Sequence, residues 1–221
     1  VLMTHSSKVA LLLIMACLIM SFGFAQNPVP RKTYTTKHMT QNAPEIDGVL
    51  DDKVWNEVEW SGDFDEFEPN ENTAPEYQSQ FKIIYDDKFL YVAFRAFDSE
   101  PEKIVQRLSR RDGFVGDRAN ILFDSYNDQR TGFMFTVTAT GVKGDEIVTR
   151  NGDNFDDSWN PIWYTNAVVD DKGWTAEMKI PFSQLRFGKE AKQNWGLNFG
   201  RQNFRLNEFS LWQRIPADAA G

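Results

Sequence analysis

Hydrophobic side chains recur at every second position along much of this chain, and that period constrains its fold more than any other feature. Phe81, Ile83 and Tyr85 form one such set. After the polar turn Asp86-Asp87-Lys88, Leu90, Val92, Phe94 and Ala96 form the next. Trp174, Ala176, Met178 and Ile180 form another, with Thr175, Glu177 and Lys179 between them. A period of two sends alternate side chains to opposite faces of an extended strand, so each set marks a strand with one buried face. Two such sets joined by a short polar turn read as a hairpin. Similar patterns predict strands at 118–124, 133–139, 145–150, 161–169, 195–205 and 208–214. Residues 102–111 fit strand or helix, and the acidic stretch 61–78 reads as irregular. Amphipathic helices do not alternate with these strands. The expectation is therefore an all-β chain folded as an antiparallel, jelly-roll-like β-sandwich with a few short helical turns. One such turn is expected at 51–58, where Asp51 and Asp52 suit the positive end of a helix dipole.

The ends of the chain read differently. Lys8 precedes an unbroken apolar run from Val9 to Met20, and Gly23-Phe24-Ala25 then offers a small-x-small cleavage site. Residues 1–25 therefore read as a secretory signal peptide, which directs the protein to the periplasm, the outer membrane or the medium. The single Cys of the chain, Cys17, lies inside that run, so no disulfide framework and no cysteine-based zinc site is expected in the folded part. Residues 26–43, with Pro28, Pro30 and several Thr, read as a flexible lead-in, and the domain is expected over 44–216. Residues 217–221 read as a cut link to a following region. The charge balance, 24 Lys and Arg against 32 Asp and Glu, argues against nucleic acid as a partner, because no basic stripe could neutralise a phosphate backbone.

Four segments carry a recognisable pattern in register. They are Ile46-Asp47-Gly48-Val49-Leu50-Asp51-Asp52-Lys53-Val54-Trp55, Tyr85-Asp86-Asp87-Lys88-Phe89-Leu90-Tyr91-Val92, Gly116-Asp117-Arg118-Ala119-Asn120-Ile121-Leu122-Phe123-Asp124 and Gly173-Trp174-Thr175-Ala176-Glu177-Met178-Lys179-Ile180-Pro181-Phe182. Together the chain resembles a family 9 carbohydrate-binding module, within the wider DOMON-like group of β-sandwiches, over roughly residues 44–215. The variant most resembled stands at the N-terminus of large exported bacterial proteins, ahead of a long β-rich region. The resemblance implies a polysaccharide or oligosaccharide partner, and that β-rich region of the same parent chain as a second partner. Three functional readings follow. The domain is a non-catalytic sugar-binding module of a secreted protein active in carbohydrate catabolism. Alternatively, it is a structural or interaction domain that has lost sugar binding. In the third reading it is the accessory domain of an O-glycosyl hydrolase.

The resemblance also assigns positions. In family members two Trp side chains clamp the sugar, and Phe114 stands at the first of these, three residues before Asp117. Asn120 stands at a sugar-contacting Glu, and Thr136 near a sugar-contacting Arg. The second clamp Trp belongs to a loop that corresponds to residues 216–221, which carry no aromatic. Independently, the loop Asn151 to Trp163 gathers Phe155, Trp159 and Trp163 with several carboxylates. It reads as a sugar platform, as a calcium loop using Asp153, Asp156 and Asp157, or as a solvated acidic turn with Trp163 in the core. The candidate carbohydrate-binding residues are thus Phe114, Asp117, Asn120, Phe155, Trp159 and Trp163. The other Trp residues, Trp55, Trp60, Trp174, Trp195 and Trp212, read as packing, with Trp55 plugging an end of the sandwich. Arg107, Arg110 and Arg111 could grip an anion or pair with surface carboxylates. A hydrolytic pair from Glu177 and Asp124 is not favoured, since both sit in framework motifs. A Ser-His-Asp triad would have to use His38.

Overall fold

The computed structural model describes residues 30–215. The expected signal peptide, the cut link and the loop corresponding to the second clamp Trp lie outside the described residues. Among the described residues eleven strands form two antiparallel sheets, and the only helical elements are short 3-10 turns. In chain order the strands are β1 (Asp65–Glu68), β2 (Ser79–Tyr85), β3 (Phe89–Phe97), β4 (Arg118–Asp124), β5 (Gly132–Thr138), β6 (Lys143–Thr149), β7 (Asn154–Asp156), β8 (Tyr164–Asp170), β9 (Gly173–Pro181), β10 (Gly196–Asn203) and β11 (Glu208–Leu211). A seven-stranded sheet runs β1-β11-β10-β4-β5-β6-β7, and a four-stranded sheet runs β2-β3-β9-β8. The all-β sandwich expected from the alternation is what forms.

The alternating residues explain how the sheets meet. Phe81, Phe94 and Trp174 from the smaller sheet and Ile121, Phe135 and Phe199 from the larger one face inward and are fully buried. Phe81 stacks on Phe199 across the interface, ring centres 3.9 Å apart, and meets Trp212 edge-on at 5.1 Å. Offset stacking and edge contacts suit aromatic quadrupoles, and these large side chains supply most of the apolar area removed from water.

Several expectations need correction. The irregular stretch 61–78 contains β1, which pairs with β11 as an edge strand. Its acidic residues hid it, because an edge strand needs only one buried face. Residues 102–111 are neither strand nor helix: after a 3-10 turn at Pro101–Lys103 they form an extended loop, joined to Gly116 by one bridge at Gln106. The part of the expected flexible lead-in that is described is docked from Arg31 onward. The Tyr34 ring tilts against Phe81 at 5.2 Å, and its hydroxyl donates to the Glu59 carbonyl and accepts from the Ile83 N–H, each at 3.0 Å. The Met39 N–H donates to the Tyr85 carbonyl at 2.8 Å, so this segment covers the open edge of β2.

Trp55 does not plug an end. With Met39, Val54, Val58, Ile84, Tyr91 and Ala93 it forms a second apolar cluster on the outer side of the four-stranded sheet. Thr175 and Glu177 therefore face away from the core, as their positions imply, yet both are buried beneath this layer. The indole N–H of Trp55 donates to Glu177 at 2.9 Å, and the Gly48 and Asp47 N–H groups donate to its other oxygen. Asp52, expected to favour a helix dipole, spends its carboxylate on the Glu45 N–H instead.

Candidate functional site

The four-stranded sheet is roofed by the cluster around Trp55, whereas the seven-stranded sheet keeps its outer face. The register lays that face out in rows running across the strands. Gly200 pairs with Asn120, Asn120 with Thr136 and Thr136 with Gly144. On one side of this row stand Gln202, Arg118 and Thr138, and on the other Asn198, Leu122, Met134 and Glu146. Ala119, Ile121 and Phe123 alternate with the β4 members and point into the core, which fixes the direction of the rest.

The loop between Val105 and Asp117 folds against this face. Asp112 fastens it, because β7 is too short to reach the upper part of β6. The Asp112 N–H donates to the Lys143 carbonyl at 3.3 Å, and its carboxylate accepts from the Asp145 N–H at 3.1 Å. The loop thereby lays the ring of Phe114 over Gly144, where a Cβ would collide with it. The Arg118 guanidinium sits 5.6 Å from the centre of the same ring, a cation–π contact. Asn120 lies next to it, its amide nitrogen 3.2 Å from the Met134 sulfur.

Two charged groups on this face are poised rather than paired. Among the described residues, the side chains of Arg118 and Glu146 form no hydrogen bond and no ion pair. Burial holds the Arg118 guanidinium below its ordinary value, with the charge of Glu146 acting against that. Burial, and then repulsion from Asp157 and Asp112, lifts the Glu146 carboxyl above the ordinary glutamate value. A half-buried donor fork and a half-buried acceptor beside an aromatic ring can bind a neutral, hydroxyl-rich molecule. The ring suits its C–H face, and the polar groups of Arg118, Asn120 and Glu146 suit its hydroxyls.

The structure divides the residues singled out from the sequence. Phe114 and Asn120 come together at this face. Phe155 lies on the same face, in register with Val148 on the edge strand, and is 54 % exposed. Asp117 does not belong to the site. It is wholly buried, and its Oδ1 accepts from the Val105 and Phe204 N–H groups, so it holds the loop's root. Trp163 is also a correction: it is 1 % exposed, packs on Phe135 and donates its N–H to Asp145. Trp159 packs against Phe133 and Phe135 on the core side. Thr136 is buried in the floor of the face.

The calcium reading of Asp153, Asp156 and Asp157 finds no support: among the described residues no three His, Cys, Asp or Glu side chains converge as a cation site. Asp156 instead accepts from the Ser158 N–H and hydroxyl. Arg111 pairs with the buried Asp145. Glu177 and Asp124 stand on different sheets, and Asp124 accepts from the Asp128 and Gln129 N–H groups. His38 bridges Asp87 and the Met39 carbonyl.

Arg118 and Glu146 are not among the residues singled out from the sequence. Arg118 was legible, since the alternation that places Asn120 on a face places Arg118 beside it. It places a guanidinium on β4, one strand over from Thr136, near which the family resemblance sets a sugar-contacting Arg. Glu146 carries no such signal of its own, because it joins the face only through the pairing of β6 with β5 and of β5 with β4.

Comparison with known proteins places this geometry in context. A family model described as carbohydrate family 9 binding domain-like matches residues 46–205. Among solved structures, a family 9 carbohydrate-binding module from Caldicellulosiruptor kristjanssonii in complex with cellotriose is similar, with a TM-score of 0.54 and 18 % identity over 81 % of this chain and 88 % of that one. A family 9 carbohydrate-binding module from the same organism in complex with glucose gives 0.51 and 18 % over 82 % and 91 %. A candidate carbohydrate-binding protein from Bacteroides uniformis gives 0.65 and 14 % over 86 % and 93 %. At these identities the likeness is one of fold. Among curated protein sequences none matches significantly. The family model spans most of the chain and the sandwich bears it out: the chain belongs to the carbohydrate family 9 binding domain-like family.

Proposed function

We propose that this chain is a non-catalytic carbohydrate-binding module whose site is the outer face of the seven-stranded sheet. The observation that carries this is the convergence of the Phe114 ring with the unpaired Arg118 and Glu146 and with Asn120. Family membership and the cellotriose and glucose complexes of modules of the same fold support it. Phe114 stacks on a sugar ring, Arg118 donates to hydroxyls, Glu146 accepts from them, and Asn120 does both. The apolar run and cleavage pattern at the N-terminus support export, and the family resemblance supports a role in carbohydrate catabolism alongside a β-rich region of the same parent chain.

The test is isothermal titration against glucans, xylans and mannans, with Phe114→Ala and Arg118→Ala as variants. Each variant is expected to bind about ten-fold or more weakly, as losing one stacking contact or one charge-assisted hydrogen bond would cost. The melting temperature should stay unchanged. If the unaltered protein binds no glycan, the module is an interaction domain instead.

A further inference from the structure

The register of the outer face points beyond a single-sugar site. We infer that the face is a trough for a linear glycan chain running across the strands, with Phe114 and Phe209 as two separate stacking platforms. This rests on the carbohydrate reading above and adds the class of ligand: an extended oligosaccharide held along its length rather than one terminal sugar.

The row Gly200, Asn120, Thr136, Gly144 crosses four neighbouring strands, β10, β4, β5 and β6. Both ends of the row are glycines, and neither has the positive φ that would demand glycine for backbone reasons. Space is what they provide. At Gly144 the missing Cβ admits the Phe114 ring. At Gly200 a Cβ would stand 2.8 Å from Cζ of Phe209 and would also strike the Asn120 amide oxygen. Phe209 reaches over from β11, braced edge-on by Phe67 with ring centres 6.3 Å apart. The two rings thus lie over β6 and β10. Three strand spacings separate those strands, roughly 14 Å. One pyranose ring cannot touch both platforms, but a chain of sugars can.

The flanking rows suit that occupant. Between the platforms the floor is low, with Thr136 buried and Asn120 partly so. Arg118 rises on one side of the row, and Met134 with Glu146 on the other. A chain laid along the row meets a donor on one flank and an acceptor on the other, with an aromatic ring under each end.

The experiment is titration of the protein with glucose, cellobiose, cellotriose, cellohexaose and borohydride-reduced cellohexaose, together with the matching xylose and mannose series. Affinity is expected to rise at least ten-fold from the monosaccharide to the trisaccharide in the series that binds, and reduction of the chain end should leave the hexamer's affinity intact. Phe209→Ala should flatten the length dependence while leaving monosaccharide binding unchanged. Phe209→Leu, which keeps the apolar brace for Phe67, should flatten it equally, so a folding defect in the first variant does not decide the matter. Length-independent affinity, or unaltered trisaccharide binding in Phe209→Leu, overturns the chain-binding trough and leaves the carbohydrate reading standing. Failure of every sugar in all three series overturns both.

Discussion

Glu177 concentrates the physics of this fold in one side chain. It sits in the alternating motif of β9 at a position that faces away from the core, where solvent would be expected, yet it is fully buried. Burial pushes its carboxyl up to about 7, against the three N–H donors from Trp55, Gly48 and Asp47 that favour the charged form. Its folded value lies above its unfolded one, so the folded state binds the extra proton between about pH 4.5 and 7. The stability this group contributes is complete below that window and is lost as pH rises through it. Glu177→Gln removes the titration. Chemical denaturation of both proteins should show the wild type losing about 1–3 kcal/mol relative to the variant between pH 4.5 and 7. A difference that stays flat across the window would mean that the three donors fully offset the burial.

The element that most revised the sequence reading is the segment Arg31 to Met39. Its Thr content, with Pro28 and Pro30 just before it, reads as flexible, but composition says nothing about whether an exposed strand edge waits for it. The edge of β2 does, and Tyr34 fills it with one aromatic contact and two hydrogen bonds. Tyr34→Ala should cost about 1–3 kcal/mol in urea denaturation, as expected when a partly buried ring and its hydrogen bonds are lost. An unchanged midpoint would show that the segment is docked without contributing to stability. The long strands were legible because each carries its own period. The three-residue β7 and the acidic β1 were not, because each is defined by its partner strand rather than by its own residues. The same reason hid the loop that carries Phe114. Its position depends on Asp112 finding the free edge of β6, a contact across 33 residues to Asp145.

At the scale of the whole molecule the two sheets have opposite fates. The smaller sheet is roofed by the apolar cluster around Trp55, so its outer face is used up by the fold. The larger sheet keeps its outer face for Phe114, Arg118, Asn120 and Glu146, and that asymmetry decides where a ligand can bind. The sandwich could be read from the alternation, and the family and two of the proposed site residues, Phe114 and Asn120, from the four motifs and the resemblance they carry. The aromatic loop Asn151 to Trp163 misled, because two of its rings turn inward to the core, as a sequence without its pairing cannot reveal. An NMR titration of the 15N-labelled protein with the oligosaccharide that binds in the calorimetric series tests the central claim most directly. Amide shifts should concentrate on Phe114, Arg118, Asn120, Glu146 and their neighbours on β10, β4, β5 and β6. Shifts concentrated on the four-stranded sheet or on residues 156–163, with that face silent, would contradict it.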